Sequence, residues 1–419
     1  MSPAAPARLP RLLAGLDFGG APMTLADHQR VHGSLPSLSS EQLIDAVERS
    51  GLRGRGGADF PTAIKLRSVA GGRRGAVLVV NGSETEPASA KDRLLLSRLP
   101  HLVLDGAVLA AAAIGAREVI VKLGERAGAV ARALEGAIAV RGEDRVRIGV
   151  ATGPDGYVTG EESAVIHALN GGRAVPTLVP PRPYERGYRG RPTLVQNPET
   201  LAQIALVGRY GPRWYRELGT AADPGSALVT ISGAVAAPGV YELAFGTSLR
   251  DLLAAAGGPV EPLRALLIGG YFGTWVPAEQ ALGIRLARED LRRAGSSLGS
   301  GVLIALGESS CGLHESARVI DYLAAQSAGQ CGPCVFGLRA IADAFGALAD
   351  GAGDDRLLRV RRWSEDVRGR GACHHPDGAV RFVRSAIGVF ADELAEHRGT
   401  RCLAAPAGLP FTQPPAAVL

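Results

Sequence analysis

The run Gly51-Leu52-Arg53-Gly54-Arg55-Gly56-Gly57 is the part of this sequence best suited to bind an anion. Glycine tolerates positive φ and lets a ligand approach backbone N–H groups closely. Arg53 and Arg55 offer charge-assisted bonds to a phosphate. Lys65, four residues after Pro61, can reach the same anion. The loop is not the G-x-G-x-x-G fingerprint that follows a strand, because a helix precedes it. Three later segments carry clustered polar groups: Asn81-Gly82-Ser83-Glu84-Thr85-Glu86-Pro87, Gly153 to Ser163, and Arg191 to Thr200. The first follows a strand, and open α/β sheets bind ligands at the C-terminal ends of their strands. A second chemistry lies near the C-terminus. The five cysteines are Cys311, Cys331, Cys334, Cys373 and Cys402. An odd, clustered set of this kind argues for metal ligation over disulfides.

The elements that must position these groups are legible in outline. Ser39 or Ser40 can cap a helix over Ser39–Arg49, with Leu43, Ile44 and Val47 as its apolar stripe. Strands at Ala76–Val80, Glu118–Lys122 and Val146–Val150 alternate with helices at His101–Ile114 and Ala127–Val140. That alternation predicts a parallel sheet covered by helices. Beyond Gly225 the order is strand, strand, helix, strand, strand, at Ala227–Gly233, Gly239–Leu243, Ser248–Ala256, Ala265–Ile268 and Thr274–Val276. This predicts a small β-grasp module. Helices at Ser316–Ser327, Val335–Leu348 and Arg381–Glu396 predict a bundle carrying most of the cysteines. The expected layout is an irregular arm over 1–38, an α/β domain over 39–215, the β-grasp module over 225–290, the helical domain over 310–400 and a tail over 401–419.

Composition excludes several classes. The chain has 419 residues, 46% hydrophobic and 21% charged, with a net charge of +5. It shows no dense basic patch interleaved with aromatics, so nucleic-acid binding is a poor reading. No stretch reaches the roughly 18 apolar residues of a membrane span; the longest, Leu102–Ala113, carries Asp105. Arg8 and Arg11 precede no sustained apolar core, which argues against a secretory leader. The expected location is the cytoplasm, with docking at the periphery of a membrane complex compatible with it. Lysine occurs only at 65, 91 and 122 in an arginine-rich chain, which makes each one informative.

Taken in order and spacing, the four polar segments resemble those of the NADH-binding flavoprotein subunit of respiratory complex I and its relatives in NAD-linked hydrogenases and formate dehydrogenases. The resemblance runs from about Ser39 to His397. It implies a Rossmann-like FMN-binding domain, a β-grasp (SLBB-like) module and a helical iron–sulfur domain. It places the FMN phosphate and ribityl chain on Gly54, Arg55, Gly56, Gly57 and Lys65. Asn81, Glu84 and Thr85 would line the flavin. Tyr157, Gly160, Glu161 and Glu162 would continue the pocket, and Val195, Gln196 and Asn197 would close it. Phe60, Glu86, Tyr157 and Arg182 would seat NADH. No residue is required as an acid or base, since binding and orientation carry such chemistry. The sequence departs from the family at several points. Ser83 stands for the usual Asp, Gln196 for Asn and Asp59 for Gly. Val179-Pro180-Pro181-Arg182 lacks the lysine and phenylalanine that flank the family's proline pair, and Leu66 replaces an aromatic.

The family's C-x2-C-x2-C segment, with a distant fourth Cys, binds a [4Fe–4S] cluster. Here Cys331, Cys334 and Cys373 match three ligands, and Ala328 occupies the first position. Cys311, Cys402, Ser327, His374 and His375 are candidates for the missing corner; Cys311 and Cys402 also read as incidental. The implied function is electron transfer from NADH through FMN and an iron–sulfur cluster to a partner protein. A ferredoxin-like carrier in place of NADH, and a docking subunit without redox groups, are the alternatives. The chain reads as having no thioredoxin-like or ferredoxin domain, so further relays would come from other subunits.

Overall fold

The computed structural model describes residues 8–16, 20–71, 75–142, 146–398, 402, 404 and 407–411. The first sheet contains β1 (Val77–Asn81), β2 (Glu118–Gly124), β3 (Arg147–Gly153) and β4 (Thr193–Gln196). All its pairings are parallel, in the order β3-β2-β1-β4. Val77 to Val80 of β1 are fully buried, as a central strand covered on both faces requires. The chain steps outward from β1 to β3 and then returns to the other side of β1. The topological switch point therefore lies between β1 and β4, where such sheets open a ligand crevice. Asn81 and Gln196 end these two strands.

The capping box at Ser39 is present: Gln42 N–H donates to Ser39 Oγ, and Ser39 N–H donates to the Gln42 side chain. The arm is not wholly irregular. Leu25–His32 is a helix capped by Thr24. Its buried face is polar: His28 Nε2 lies 2.7 Å from Asp105. Arg141 pairs with the same carboxylate at 2.8 Å, and Arg209 completes the cluster. Burial opposes the charge on Asp105, but His28, Arg209 and Arg141 hold its pKa well below the usual carboxylate range. Asp105→Asn strands buried cations and is expected to cost about 3–5 kcal/mol. Urea unfolding checks this; a loss below about 1 kcal/mol, the size of an exposed pair, would show the cluster is not buried as described.

The second sheet contains β5 (Ser226–Gly233), β6 (Gly239–Ala244), β7 (Leu263–Ile268), β8 (Thr274–Pro277) and β9 (Val302–Gly307), in the order β6-β5-β9-β7-β8. Its central strand β9 lies beyond the expected limit at 290. The helical domain comprises Gly312–Ala325, a π-helical turn at Pro333–Leu338 running into Arg339–Ala349, then Asp354–Val367, His375–Val389 and Ala391–Glu396. No single helix among the described residues is long and apolar enough to cross a membrane. One bent pair, Lys91–Arg98 with Pro100–Ala113, passes by length and composition, but its apolar residues form the α/β core.

Candidate functional site

The glycine loop closes on itself. Gly54 N–H donates to the Phe60 carbonyl at 2.8 Å, and Thr62 N–H to the Leu52 carbonyl at 3.1 Å. Gly56, Gly57 and Ala58 are left exposed at the tip. Their N–H groups form no hydrogen bond among the described residues. Gly57 has φ +98°, a conformation only glycine adopts without strain. Arg55 N–H donates to Thr200 Oγ1 at 2.9 Å, in the first turn of the 19-residue helix Pro198–Arg216. The tip therefore rests on a helix N-terminus, where the aligned peptide dipoles favour an anion.

The arginines behave otherwise than expected. The Arg55 guanidinium turns inward and bonds Tyr215 Oη and the Ser226 carbonyl, each at 3.2 Å, so only its backbone belongs to the cradle. Glu199, 3.6 Å away, balances its charge in a site that is almost fully buried. Arg53 is engaged by Asp59 at 2.9 Å. That pair also means Asp59 presents no uncompensated charge beside the loop. Phe60 is half exposed next to it.

Lys65 reaches the crevice. Its ammonium donates to Glu162 Oε2 at 2.6 Å and to the Val195 carbonyl at 2.8 Å. Asn81 Nδ2 donates to the Gly160 carbonyl at 2.8 Å, and a Cβ on Gly160 would stand 2.9 Å from Thr85. Asn197 caps the Pro198–Arg216 helix and donates to Asp92 at 2.6 Å. Glu84, at φ +39°, accepts from the amides of Asp92 and Arg93, both at 2.9 Å, and from Ser89 Oγ. Burial, reinforced by Asp92, pushes its carboxyl pKa up. Glu161 caps the helix Glu162–Leu169 with its side chain. Arg182 is exposed, and its N–H donates to Glu185.

Glu86 and Tyr157 are not open to a nucleotide here. Tyr157 Oη donates to Glu86 Oε2 at 2.9 Å, and Tyr271 N–H donates to the same oxygen at 2.8 Å. The Tyr157 ring packs against Phe272, Tyr322 and His375, so all three domains meet there. Burial lifts the Glu86 pKa from 4.5 to about 7 despite these hydrogen bonds. A raised folded pKa gives stability that is complete below 4.5 and is lost as pH rises through about 7, a difference of about 3 kcal/mol. Glu86→Gln, which cannot ionise, should therefore gain on the wild type in melting temperature as pH rises from about 5 to about 8. A pH-independent difference in scanning fluorimetry would refute this.

Two buried lysines have no role expected from the sequence. Lys91 is held by Asp92 at 2.8 Å and Glu199 at 3.0 Å, beneath the loop. Lys122 is the register partner of Asn81, and its buried ammonium has no hydrogen-bond partner among the described residues. Their scarcity in an arginine-rich chain was the available signal.

The cysteine site is a cavity of about 320 Å³ lined by Ala328, Gln330, Cys331, Cys334, Ala372, Cys373 and Pro176–Leu178. Cys334 lies in the π-helical turn, a distortion often found at functional sites. Burial pushes the Cys334 thiol up to about 12. Burial also opposes a Cys331 thiolate, but the amides of Ala372 and Cys334 hold that thiol below its usual value. None of the five candidates for the missing corner lines the cavity. His374 faces solvent, and His375 bonds the Leu323 carbonyl.

Residues 47–206 match the model of the Nuo51 FMN-binding domain, and residues 314–397 that of the NADH-ubiquinone oxidoreductase-F iron–sulfur binding region. The second F subunit of the NADH-quinone oxidoreductase of Rhizobium meliloti is 33% identical, over 92% of this chain and 94% of that one. The chain belongs to the family of NADH-quinone oxidoreductase F subunits. Residues 228–268 match an SLBB domain. The Escherichia coli F subunit is 34% identical over 86% of this chain and 85% of its own. Among solved structures, an NAD+-reducing [NiFe]-hydrogenase in the H2-reduced state superposes with a TM-score of 0.82 at 32% identity, covering 96% of this chain and 69% of that one. The air-oxidised form gives 0.79 at 34% identity, over 86% of this chain. The chain spans only 63% of that hydrogenase chain.

The residues fit the groups these family models name. Around the switch-point crevice, Ser83 Oγ and Gln196 Nε2 are buried with no hydrogen-bond partner among the described residues, and the loop-tip amides have none there either. In the cysteine-lined cavity three thiols converge and the fourth family position is methyl-bearing Ala328.

Proposed function

We propose that this protein takes electrons from NADH at an FMN bound over the glycine loop and passes them through an iron–sulfur cluster to a partner protein. The FMN supplies the conversion of a two-electron hydride into single electrons. The chain's own residues bind, orient and separate. The amides of Gly56 and Gly57, backed by the Pro198–Arg216 helix, would neutralise the phosphate. Lys65, held by Glu162, would sit beside the ribityl chain, and Asn81 and Gln196 would face the ring from the switch point. Phe60 and Arg182 offer faces for the nucleotide, and the Arg53–Asp59 pair removes a repulsive charge near it.

One observation carries this reading: the two sites share a wall. Glu161 and Glu162 border the flavin crevice, while Ser163 Oγ accepts from Thr177 N–H at 2.9 Å, and Thr177 lines the cysteine cavity. An electron leaving the crevice has a bonded protein path of a few residues to the cluster. We place the protein in the cytoplasm, docked to other redox subunits. Anaerobic purification with FMN and iron quantified per chain, followed by titration with NADH, tests this. Stoichiometric bleaching of the flavin is expected. A bound flavin that ignores NADH but responds to reduced ferredoxin would replace the donor, and a chain that cannot be loaded with FMN would refute the function.

A further inference from the structure

We infer that Cys311, His397 and Cys402 form a mononuclear zinc site, separate from the iron–sulfur cavity. Their ligand atoms all lie within 4.8 Å of one another. Cys311 Sγ stands 3.6 Å from His397 Nε2. Tetrahedral zinc, with Zn–S near 2.3 Å and Zn–N near 2.0 Å, separates its sulfur and nitrogen ligands by about 3.5 Å. The histidine is set for the task. Its Nδ1–H donates to the Ala349 carbonyl at 2.8 Å, which leaves the Nε2 lone pair facing the thiols. A backbone acceptor on the far ring nitrogen is the usual way a ligating imidazole is oriented. Cys311 caps the helix Gly312–Ala325, and His314 N–H donates to its sulfur at 3.3 Å, which fixes where the sulfur stands.

The fourth corner has a ready occupant. Glu393, one turn before His397, places Oε2 3.2 Å from Cys311 Sγ, and Arg264 of β7 steadies Oε1 at 3.0 Å. Two thiolates, an imidazole and a carboxylate make a donor set that suits zinc. None of these four residues lines the cavity that holds the other three cysteines. The site joins elements far apart in sequence: the start of the first bundle helix, the last helix, and Cys402 beyond it. Past Cys402 the chain is seated on the first bundle helix, with Ala407 and Leu409 N–H donating to Glu315 at 2.8 and 3.3 Å. Phe411 lies under the Arg318 guanidinium. The metal thus acts as a structural clip on the C-terminal segment and, through Glu393 and Arg264, on the seam with the SLBB sheet.

Zinc and iron per chain, measured by mass spectrometry on the anaerobically purified full chain after chelator washing, test the assignment. About one zinc is expected in the wild type. Cys402→Ser and His397→Gln should each lower retained zinc at least ~10-fold and leave FMN unchanged. Cys331→Ser with Cys334→Ser should lose iron and keep the zinc. Cobalt loaded into the wild type should show thiolate-to-cobalt charge transfer that survives in the Cys331/Cys334 variant, so a misfolded Cys402 variant does not leave the question undecided. Wild-type zinc below about 0.1 per chain after zinc-supplemented growth would overturn the site. So would metal that follows Cys331 and Cys334 instead.

Discussion

Gly56→Val is expected to abolish FMN binding while the chain stays folded. Gly56 does not have positive φ, and a Cβ there would meet only Asn197 Cβ, at the ordinary distance of 3.4 Å. The backbone therefore accepts valine without strain. In the proposed site, however, its γ-methyl groups would take the space a phosphate needs to reach the amides of Gly56 and Gly57. Losing two charge-assisted hydrogen bonds costs about 3–5 kcal/mol, or roughly 10²- to 4 × 10³-fold in affinity. Gly57→Val would be the less informative variant, because φ +98° adds a backbone penalty to the same obstruction. Fluorescence titration of the apoprotein with FMN, alongside thermal unfolding, measures the effect. A Gly56→Val protein that binds FMN within about threefold of wild type would show that the phosphate is not held at this tip.

Much of the scaffold around that loop was legible because local signals agreed with the tertiary result. The capping box at Ser39 and the apolar run of β1 are both local statements. The elements that escaped had their signals masked. The arm helix Leu25–His32 buries His28 and His32, so it has no apolar stripe. The Pro198–Arg216 helix contains Gly211 and Pro212, which mimic a loop. Asp354–Val367 is rich in charge and buries little beyond Val360, Ser364 and Val367. β9 is a short, unbroken apolar run, which periodicity cannot assign to strand or helix.

The site divides in the same way. Which residues gather at the switch point was readable from motif order. Where their side chains turn was not, because neighbouring domains decide it. Arg55 finds Ser226 and Phe245, and Glu86 finds Tyr271, across domain boundaries that no local pattern encodes. Cys311 and Cys402 looked incidental for the same reason: about 90 residues separate them, and only the folded bundle brings them to His397.

Ala328→Cys is expected to give the largest gain of function in this chain. Ala328 is buried and lines the cavity with Cys331, Cys334 and Cys373. A thiol at 328 would restore the C-x2-C-x2-C spacing and supply the fourth corner from within the same wall. With three thiolates one iron has no protein thiolate, and such an iron is the first to be lost to oxidant or chelator. With four, iron should rise to about four per chain, and its release to a chelator under air should slow at least ~10-fold. Position 328 borders the cavity beside those three cysteines and Gln330, so a thiol there belongs to the same lining. Anaerobic reconstitution, iron and sulfide analysis, and electron paramagnetic resonance of the reduced protein provide the measurement. If the variant holds no more iron than wild type and its new thiol reacts freely with an alkylating reagent in the reconstituted protein, the fourth ligand comes from elsewhere.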